Sequence, residues 1–239
     1  GYPLLAAIFD TDADRQARSL ALIEAELRQA AEWGASHVVA HLQRSVGILG
    51  EAVPPGWSEN RALDAAAAAC EQLLTAADAA GVSLHVENML GHPLFARPES
   101  YARLFEMLPH PRLAMCFDIG HAALDAAKFG FDLVEFAALM APRIGSLHVY
   151  ANQVVEPFEF AELRAQGRLQ KHPVHPEQSP EQGWIPVAAV LDAVLSRNPQ
   201  ALVTFEVYYT LDCDRDLTRT GVDWAEGLCR RWWAAAPGR

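Results

Sequence analysis

Residues 113–121 read LAMCFDIGH, and this stretch guides the interpretation of the whole chain. It begins with an apolar run, Leu113 to Phe117, which is typical of a buried strand. The run ends at Asp118, and His121 follows three residues later. Burying a carboxylate costs free energy unless a metal ion or a substrate compensates for it. Because a strand-to-helix corner can turn both side chains toward one opening, the stretch predicts a polar site at the end of a core strand.

The same pattern, an apolar segment that leads into one ligand-type side chain, occurs three more times. Segment 82–86 leads into Glu87, segment 144–147 into His148, and segment 202–205 into Glu206. Helical sequence separates these segments. Strands that alternate with helices indicate right-handed βαβ units and parallel strands. The chain is therefore predicted to be an α/β protein whose site lies at the carboxyl ends of the strands of a parallel sheet or barrel.

Six strand–helix units can be counted, the first two with strands at Leu4–Phe9 and His37–His41. A closed (β/α)8 barrel has eight such units. We therefore expect either a barrel that lacks its first one or two strands in this chain or strands that the pattern does not reveal. Ser58 and Gly81 are the expected start and stop signals of an alanine-rich helix. Since no linker interrupts the pattern, we expect a single domain over residues 1–239.

Composition and charge exclude some classes of function. The 239 residues are 51% hydrophobic and carry a formal net charge of −11, which argues against binding nucleic acid or an anionic membrane. No apolar run has the length of a bilayer span, and the N-terminal residues show no signal-peptide pattern. The four cysteines form no CxxC pair, which is typical of free thiols in a reducing cytoplasm. We expect a cytoplasmic protein with a small-molecule partner, and a homo-oligomer is left open.

Two glutamates, one aspartate and one histidine suit a divalent ion such as Mn²⁺, Mg²⁺, Co²⁺ or Zn²⁺. Such an ion can act as a Lewis acid that stabilises an enediolate, while carboxylates move the proton next to the carbonyl. Taken alone, each strand-end acid is more often a surface residue, and only the joint pattern favours a site. His41 and His121 can face the same opening, although a structural role is an equal alternative. Lys171 can meet an acidic substrate, but one lysine is weak evidence.

Four segments together resemble the xylose-isomerase-like TIM-barrel superfamily, and most of all its sugar phosphate isomerase/epimerase branch. They read HVENM at 85–89, CFDIGHA at 116–122, SLHVYANQ at 146–153 and TFEVYY at 204–209. The resemblance implies a (β/α)8 barrel with one divalent metal ion. It implies four metal ligands, namely Glu87, Asp118, His148 and Glu206. It also makes Glu87 and Glu206 the proton-transfer pair and His121 a substrate contact, and we add His41 and His175 as candidate substrate contacts.

The related apurinic-site endonucleases share this barrel but bind three zinc ions and use an Asp-x-His pair in a late loop. The corresponding residues here are Pro173, Val174 and His175, so the aspartate is absent. The leading hypothesis is a metal-dependent isomerase or epimerase of a sugar or polyol. Its alternatives are an endonuclease-like zinc phosphodiesterase and a catalytically inactive sugar-binding barrel.

Overall fold

The computed structural model of the chain describes residues 13–42, 56–89, 97–153, 171–206 and 215–234. The chain forms two compact units, Gly1–Cys116 and Phe117–Arg239. The boundary between the units falls inside one β-strand. The expectation of a single domain therefore stays a prediction, and each unit is described by itself.

The first unit alternates helices and parallel strands in the way that the sequence predicts. Its elements are α1 (Ala13–Glu32), β1 (His37–Ala40), α2 (Glu59–Ala80), β2 (Ser83–Glu87), α3 (Pro98–Met107) and the start of β3 (Leu113–Asp118). Strand β2 pairs in parallel with β1 and with β3, and Glu87 lies opposite Cys116. The apolar stripe of α1, which includes Leu20, Ile23 and Leu27, is buried, and α1 packs against α2.

The predicted ends of helix α2 are confirmed. The Ser58 hydroxyl accepts a hydrogen bond from the Arg61 backbone N–H at 3.3 Å, which satisfies one of the free donors at the helix start. Gly81 follows the helix with φ of 72°, a left-handed conformation that glycine adopts without a steric penalty.

The second unit continues the alternation after β3. Its elements are α4 (Ile119–Phe129), α5 (Leu133–Met140), β4 (Ile144–Val149), α6 (Val187–Leu195), β5 (Leu202–Phe205) and α7 (Arg215–Trp233), with short 3-10 turns at Ala141–Arg143 and Pro180–Gln182. Strands β4 and β5 pair in parallel, with His148 opposite Thr204. Helix α6 packs against both α5 and α7. The ends of β3, β4 and β5 are the elements that position the candidate site.

Five of the six predicted strands are confirmed. The sixth, Leu4–Phe9, lies outside the described residues. The strand-to-helix corner after Asp118 is confirmed, although the sequence did not indicate that its helix extends to Phe129. Strand β5 is more exposed than its apolar sequence predicts. No helix in the described ranges has both the length and the hydrophobicity that a membrane span requires.

Candidate functional site

Three ligand-type side chains from three strand ends come together in the second unit. Asp118 is the last residue of β3, His148 is the penultimate residue of β4, and Glu206 directly follows β5. Nδ1 of His148 lies 3.1 Å from Oε2 of Glu206 and 4.0 Å from Oδ2 of Asp118. Each residue offers one donor atom, and these three atoms lie within 4.8 Å of one another. The predicted convergence of these three strand-end residues is present.

The pairing of β4 with β5 places two of these residues side by side. His148 is in register with Thr204, and the Glu206 backbone N–H donates to the Val149 carbonyl at 3.1 Å. Because side chains alternate along a strand, Glu206 projects to the same face as Thr204. Thr204 is the residue that pairs with His148 in the register. The local backbone therefore brings the Glu206 carboxylate to the His148 ring.

The two oxygens of Asp118 have different neighbours. Oδ1 accepts a hydrogen bond from the His121 backbone N–H at 2.8 Å, which makes Asp118 the N-cap of helix α4. Oδ2 lies 3.4 Å from Nδ1 of His121 and faces the cluster. The side chain is 0% exposed, and the positive end of the helix dipole favours its charge. One oxygen of Asp118 therefore caps helix α4, while the other is available to the cluster.

Lys171 places an ammonium group within this cluster. Its Nζ lies 2.5 Å from Oε2 of Glu206, 3.7 Å from Oδ2 of Asp118 and 4.5 Å from the ring centroid of Tyr150. The side chain is only 11% exposed. Two backbone hydrogen bonds between Ala151 and His172, of 2.8 and 3.0 Å, fix the adjacent main chain. The sequence had suggested only a contact with an acidic substrate, so this internal pairing is a residue role that sequence reasoning missed.

The neighbours of Glu206 control its ionisation. Burial alone would raise the pKa of this carboxyl, but hydrogen bonds and charges from His148 and Lys171 outweigh burial and lower the pKa to about 2. Glu206 is therefore a carboxylate at neutral pH, in the form that a cation or a proton can bind.

The donor set of this cluster fits a divalent cation. Bonds from Mg²⁺ or Zn²⁺ to oxygen or nitrogen are about 2.0–2.2 Å long, so donors on one ion lie roughly 3 Å apart. The separations of 3.1 and 4.0 Å need only small side-chain adjustments to reach that spacing. Two carboxylates and one imidazole also match the preferences of Mg²⁺, Mn²⁺ and Zn²⁺.

Glu87 and His41 form a pair in the first unit. Glu87 ends strand β2 and is 4% exposed, and its Oε2 lies 3.0 Å from Nε2 of His41. The sequence placed both residues at strand ends but did not predict their contact. His85 is buried, and its ring stacks on His37 with a centroid distance of 4.3 Å.

His175 lies in a turn of the second unit. Its Nδ1 accepts a hydrogen bond from the Glu177 backbone N–H at 3.3 Å, and its own backbone N–H donates to Oε1 of Gln178 at 2.7 Å. Within the described ranges, no hydrogen bond or ion pair joins the His175 ring to Asp118 or Glu206. Its role as a substrate contact, like those of His41 and His121, stays a prediction.

Known structures share the fold of this chain. A D-tagatose 3-epimerase-like protein is 17% identical with a TM-score of 0.67, and the match covers 95% of this chain and 74% of that one. An L-ribulose 3-epimerase is 16% identical with a TM-score of 0.68, covering 100% and 78%. The IOLI protein, solved with a zinc atom, is 13% identical with a TM-score of 0.70, covering 94% and 74%.

Sequence comparisons identify the family. No curated protein matches the chain at a significant level. The family model described as xylose isomerase-like TIM barrel matches residues 3–228, nearly the whole chain. The fold class predicted from the strand–helix pattern and the four resembling segments is confirmed by this match. The chain therefore belongs to the xylose isomerase-like TIM barrel family.

Proposed function

We propose that this protein is an isomerase or epimerase of a sugar or polyol that works with one divalent metal ion. The observation that carries the proposal is the convergence of Asp118, His148 and Glu206, whose donor atoms lie within 4.8 Å of one another. These ligands are buried or half-buried and lie at the carboxyl ends of strands, which is where enzymes of this barrel type have their active sites.

Oδ2 of Asp118, Nδ1 of His148 and the Glu206 carboxylate would hold the ion. When bound, a divalent cation supplies Lewis-acid stabilisation to negative charge that develops on substrate oxygen. Its charge also offsets the buried Asp118 carboxylate and the partly buried Glu206 carboxylate, which are otherwise costly to desolvate. The ligand types do not distinguish Mg²⁺, Mn²⁺, Co²⁺ and Zn²⁺, so the proposal is for the class of ion.

The chain's own carboxylates would move the proton. Glu206 is ionised at neutral pH, so it can accept a proton from the carbon next to a substrate carbonyl. Glu87 enters the proposal through the family resemblance alone, as the carboxylate that handles the proton on the other side of the substrate. His121, whose ring lies 3.4 Å from Asp118, would contact a substrate hydroxyl.

Two further observations support this proposal. The solved relatives include an L-ribulose 3-epimerase and a protein solved with zinc, both of which have this fold. The net charge of −11 opposes binding of a DNA backbone and so weighs against the endonuclease alternative.

The experiment follows exchange of carbon-bound hydrogen with solvent. Ketopentoses and ketohexoses, with and without phosphate, are incubated with the Mn²⁺-supplied protein in D₂O, and NMR detects deuterium next to the carbonyl. We expect exchange with at least one ketose for the wild type and none for Glu206→Gln or Glu87→Gln. The matched control is Glu177→Gln, which removes one exposed carboxylate of the second unit and should exchange normally. Full exchange by Glu206→Gln, or cleavage of an abasic DNA duplex without any ketose exchange, would contradict the proposal.

A further inference from the structure

We propose that Lys171 is an internal competitor of the divalent ion: its ammonium group occupies the cluster when the ion is absent and must leave when the ion binds. This inference rests on the metal site proposed above. It concerns what sets the affinity of that site, which the family match does not address.

The ammonium group of Lys171 contacts both acidic residues of the cluster. Nζ of Lys171 lies 2.5 Å from Oε2 of Glu206 and 3.7 Å from Oδ2 of Asp118, so it contacts both carboxylates at once. These are the two oxygens that would bind the divalent ion. A second cation on the same oxygens would meet strong like-charge repulsion at such short range, because Asp118 is fully buried and Lys171 is only 11% exposed. The ammonium and the ion are therefore alternatives.

The fold provides a defined position for this ammonium group. The Ala151–His172 bridge, with hydrogen bonds of 2.8 and 3.0 Å, holds the main chain next to Lys171 beside the end of β4. The Tyr150 ring lies under the ammonium at 4.5 Å, within the range of a cation–π contact. Tyr150 is itself buried and sits against Gly120, where an added Cβ would come within 2.2 Å of the ring. Lys171 is thus held by two carboxylates and an aromatic face.

The charges of the two carboxylates also favour the ammonium group in the cluster. Without the ion, the buried Asp118 and the partly exposed Glu206 would place two negative charges close together, which is unfavourable. One ammonium group removes much of that repulsion. The same contact lowers the apparent affinity for the ion, because only molecules whose ammonium group has moved away can bind it. Lys171 therefore stabilises the metal-free protein at the cost of metal affinity.

The test measures the binding of Mn²⁺ alone to three proteins by electron paramagnetic resonance and calorimetry. Lys171→Met keeps most of the length of the side chain and removes its charge. Lys128→Met is the matched control, because Lys128 and Lys171 are the two lysines of the sequence and Lys128 lies at the end of helix α4. We expect Lys171→Met to bind Mn²⁺ about tenfold more tightly than wild type or better. Lys128→Met should stay within about twofold of wild type, because Lys128 lies in the last turn of helix α4 while Asp118 caps the other end of that helix.

The outcomes separate this inference from the proposed function. Equal or weaker binding by Lys171→Met, with one ion still bound by wild type, would overturn the competition and leave the metal site standing. No Mn²⁺ binding by either protein would overturn both. A second readout needs no variant: acylation of amines, followed by peptide mass spectrometry, should label Lys171 slowly in the metal-free wild type and faster after Mn²⁺ is added, relative to Lys128. Unchanged or slower labelling of Lys171 on Mn²⁺ addition would also overturn the inference.

Discussion

Nδ1 of His148 lies 3.1 Å from Oε2 of Glu206, although the two residues belong to different strands. The contact exists because β4 and β5 pair in parallel with His148 opposite Thr204, which brings the residue after β5 to the end of β4. Asp118 completes the group from the end of β3. The backbone pairing of the strands sets the positions of these residues. Substitution of a single side chain therefore tests its role while the strands stay in place.

Asp118 allows the loss of a ligand to be separated from the loss of a helix cap. Asp118→Asn removes the charge but keeps an oxygen that can accept the His121 N–H, whereas Asp118→Ala removes both. We expect both variants to lose the divalent ion. We also expect Asp118→Ala to be less stable than Asp118→Asn by about 1 kcal/mol, the usual value of an N-cap. Urea unfolding of the two metal-free proteins measures this difference, and equal midpoints would show that the cap contributes nothing.

Two glycines of helix α7 should respond oppositely to alanine. At Gly221 an added Cβ would lie 1.7 Å from the Val174 carbonyl oxygen, which is backbone, so the helix or the turn must shift. At Gly227 no atom of the described residues, apart from the helix's own nearby backbone, lies within 4 Å of the added Cβ. We expect Gly221→Ala to destabilise the protein by roughly 1–3 kcal/mol through overpacking. Gly227→Ala should stabilise it by about 0.5–1 kcal/mol through helix propensity.

Thermal melting of the two alanine variants provides the measurement. Because the substitutions are chemically identical and lie in one helix, their difference isolates the contact with Val174. Equal melting temperatures would show that α7 does not approach that carbonyl.

The buried histidine of the first unit should make stability depend on pH. Burial, and secondarily the charge of His37, lower the pKa of His85 from 6.5 to about 3. Between these two values the unfolded chain binds a proton that the folded chain does not, so stability falls as pH falls from 6.5 toward 3. Between pH 7 and pH 5 we expect His85 to account for a loss on the order of 1–2 kcal/mol.

Urea unfolding midpoints of the wild type and of His85→Gln, each measured at pH 7 and pH 5, test this dependence. The variant should lose less stability between the two pH values than the wild type does, and any pH-independent cost of the substitution cancels in that comparison. His175→Gln, at a turn of the second unit, is the control and should keep the wild-type difference. An unchanged difference in His85→Gln would contradict the buried neutral state of this histidine.

Cys70 should be chemically inert in the folded protein. It lies on α2 and is fully buried, and burial raises the pKa of its thiol to about 12. Since the thiolate is the reactive form, we expect no alkylation of Cys70 by iodoacetamide at pH 8 in the native state and full alkylation in urea. Peptide mass spectrometry distinguishes Cys70 from the other thiols. Equal rates in the two states would be inconsistent with its burial.

Local patterns in the sequence were sufficient for the strands and for most of the site. An apolar run and the polar residue at its end are adjacent in the sequence, so both can be recognised from a few residues. This holds for Asp118, His148 and Glu206. The alternation of helix and strand then implies that these ends meet, because parallel strands place their carboxyl ends on one side. For these residues the expected and observed positions agree.

Contacts between distant segments could not be predicted in this way. Lys171 reaches the cluster through a bridge of only two residues, Ala151 and His172, which leaves no periodic signal in the sequence. The seating of Tyr150 on Gly120 and the pairing of His41 with Glu87 also depend on packing rather than pattern. The ring nitrogen of His175 accepts a hydrogen bond inside its own turn, another contact that pattern does not reveal, and its role as a substrate contact stays a prediction.

The most direct test of the proposed metal site is the metal content of the protein after Mn²⁺ is supplied and excess ion is removed, measured by elemental mass spectrometry on wild type and Asp118→Asn. Asp118→Asn is the informative variant because it preserves the helix cap. The proposal predicts about one divalent ion per chain in the wild type, since Asp118, His148 and Glu206 together offer one set of donor atoms, and none in the variant. Absence of metal from the wild type, or equal metal in both proteins, would contradict the assignment of Asp118, His148 and Glu206 as the metal site.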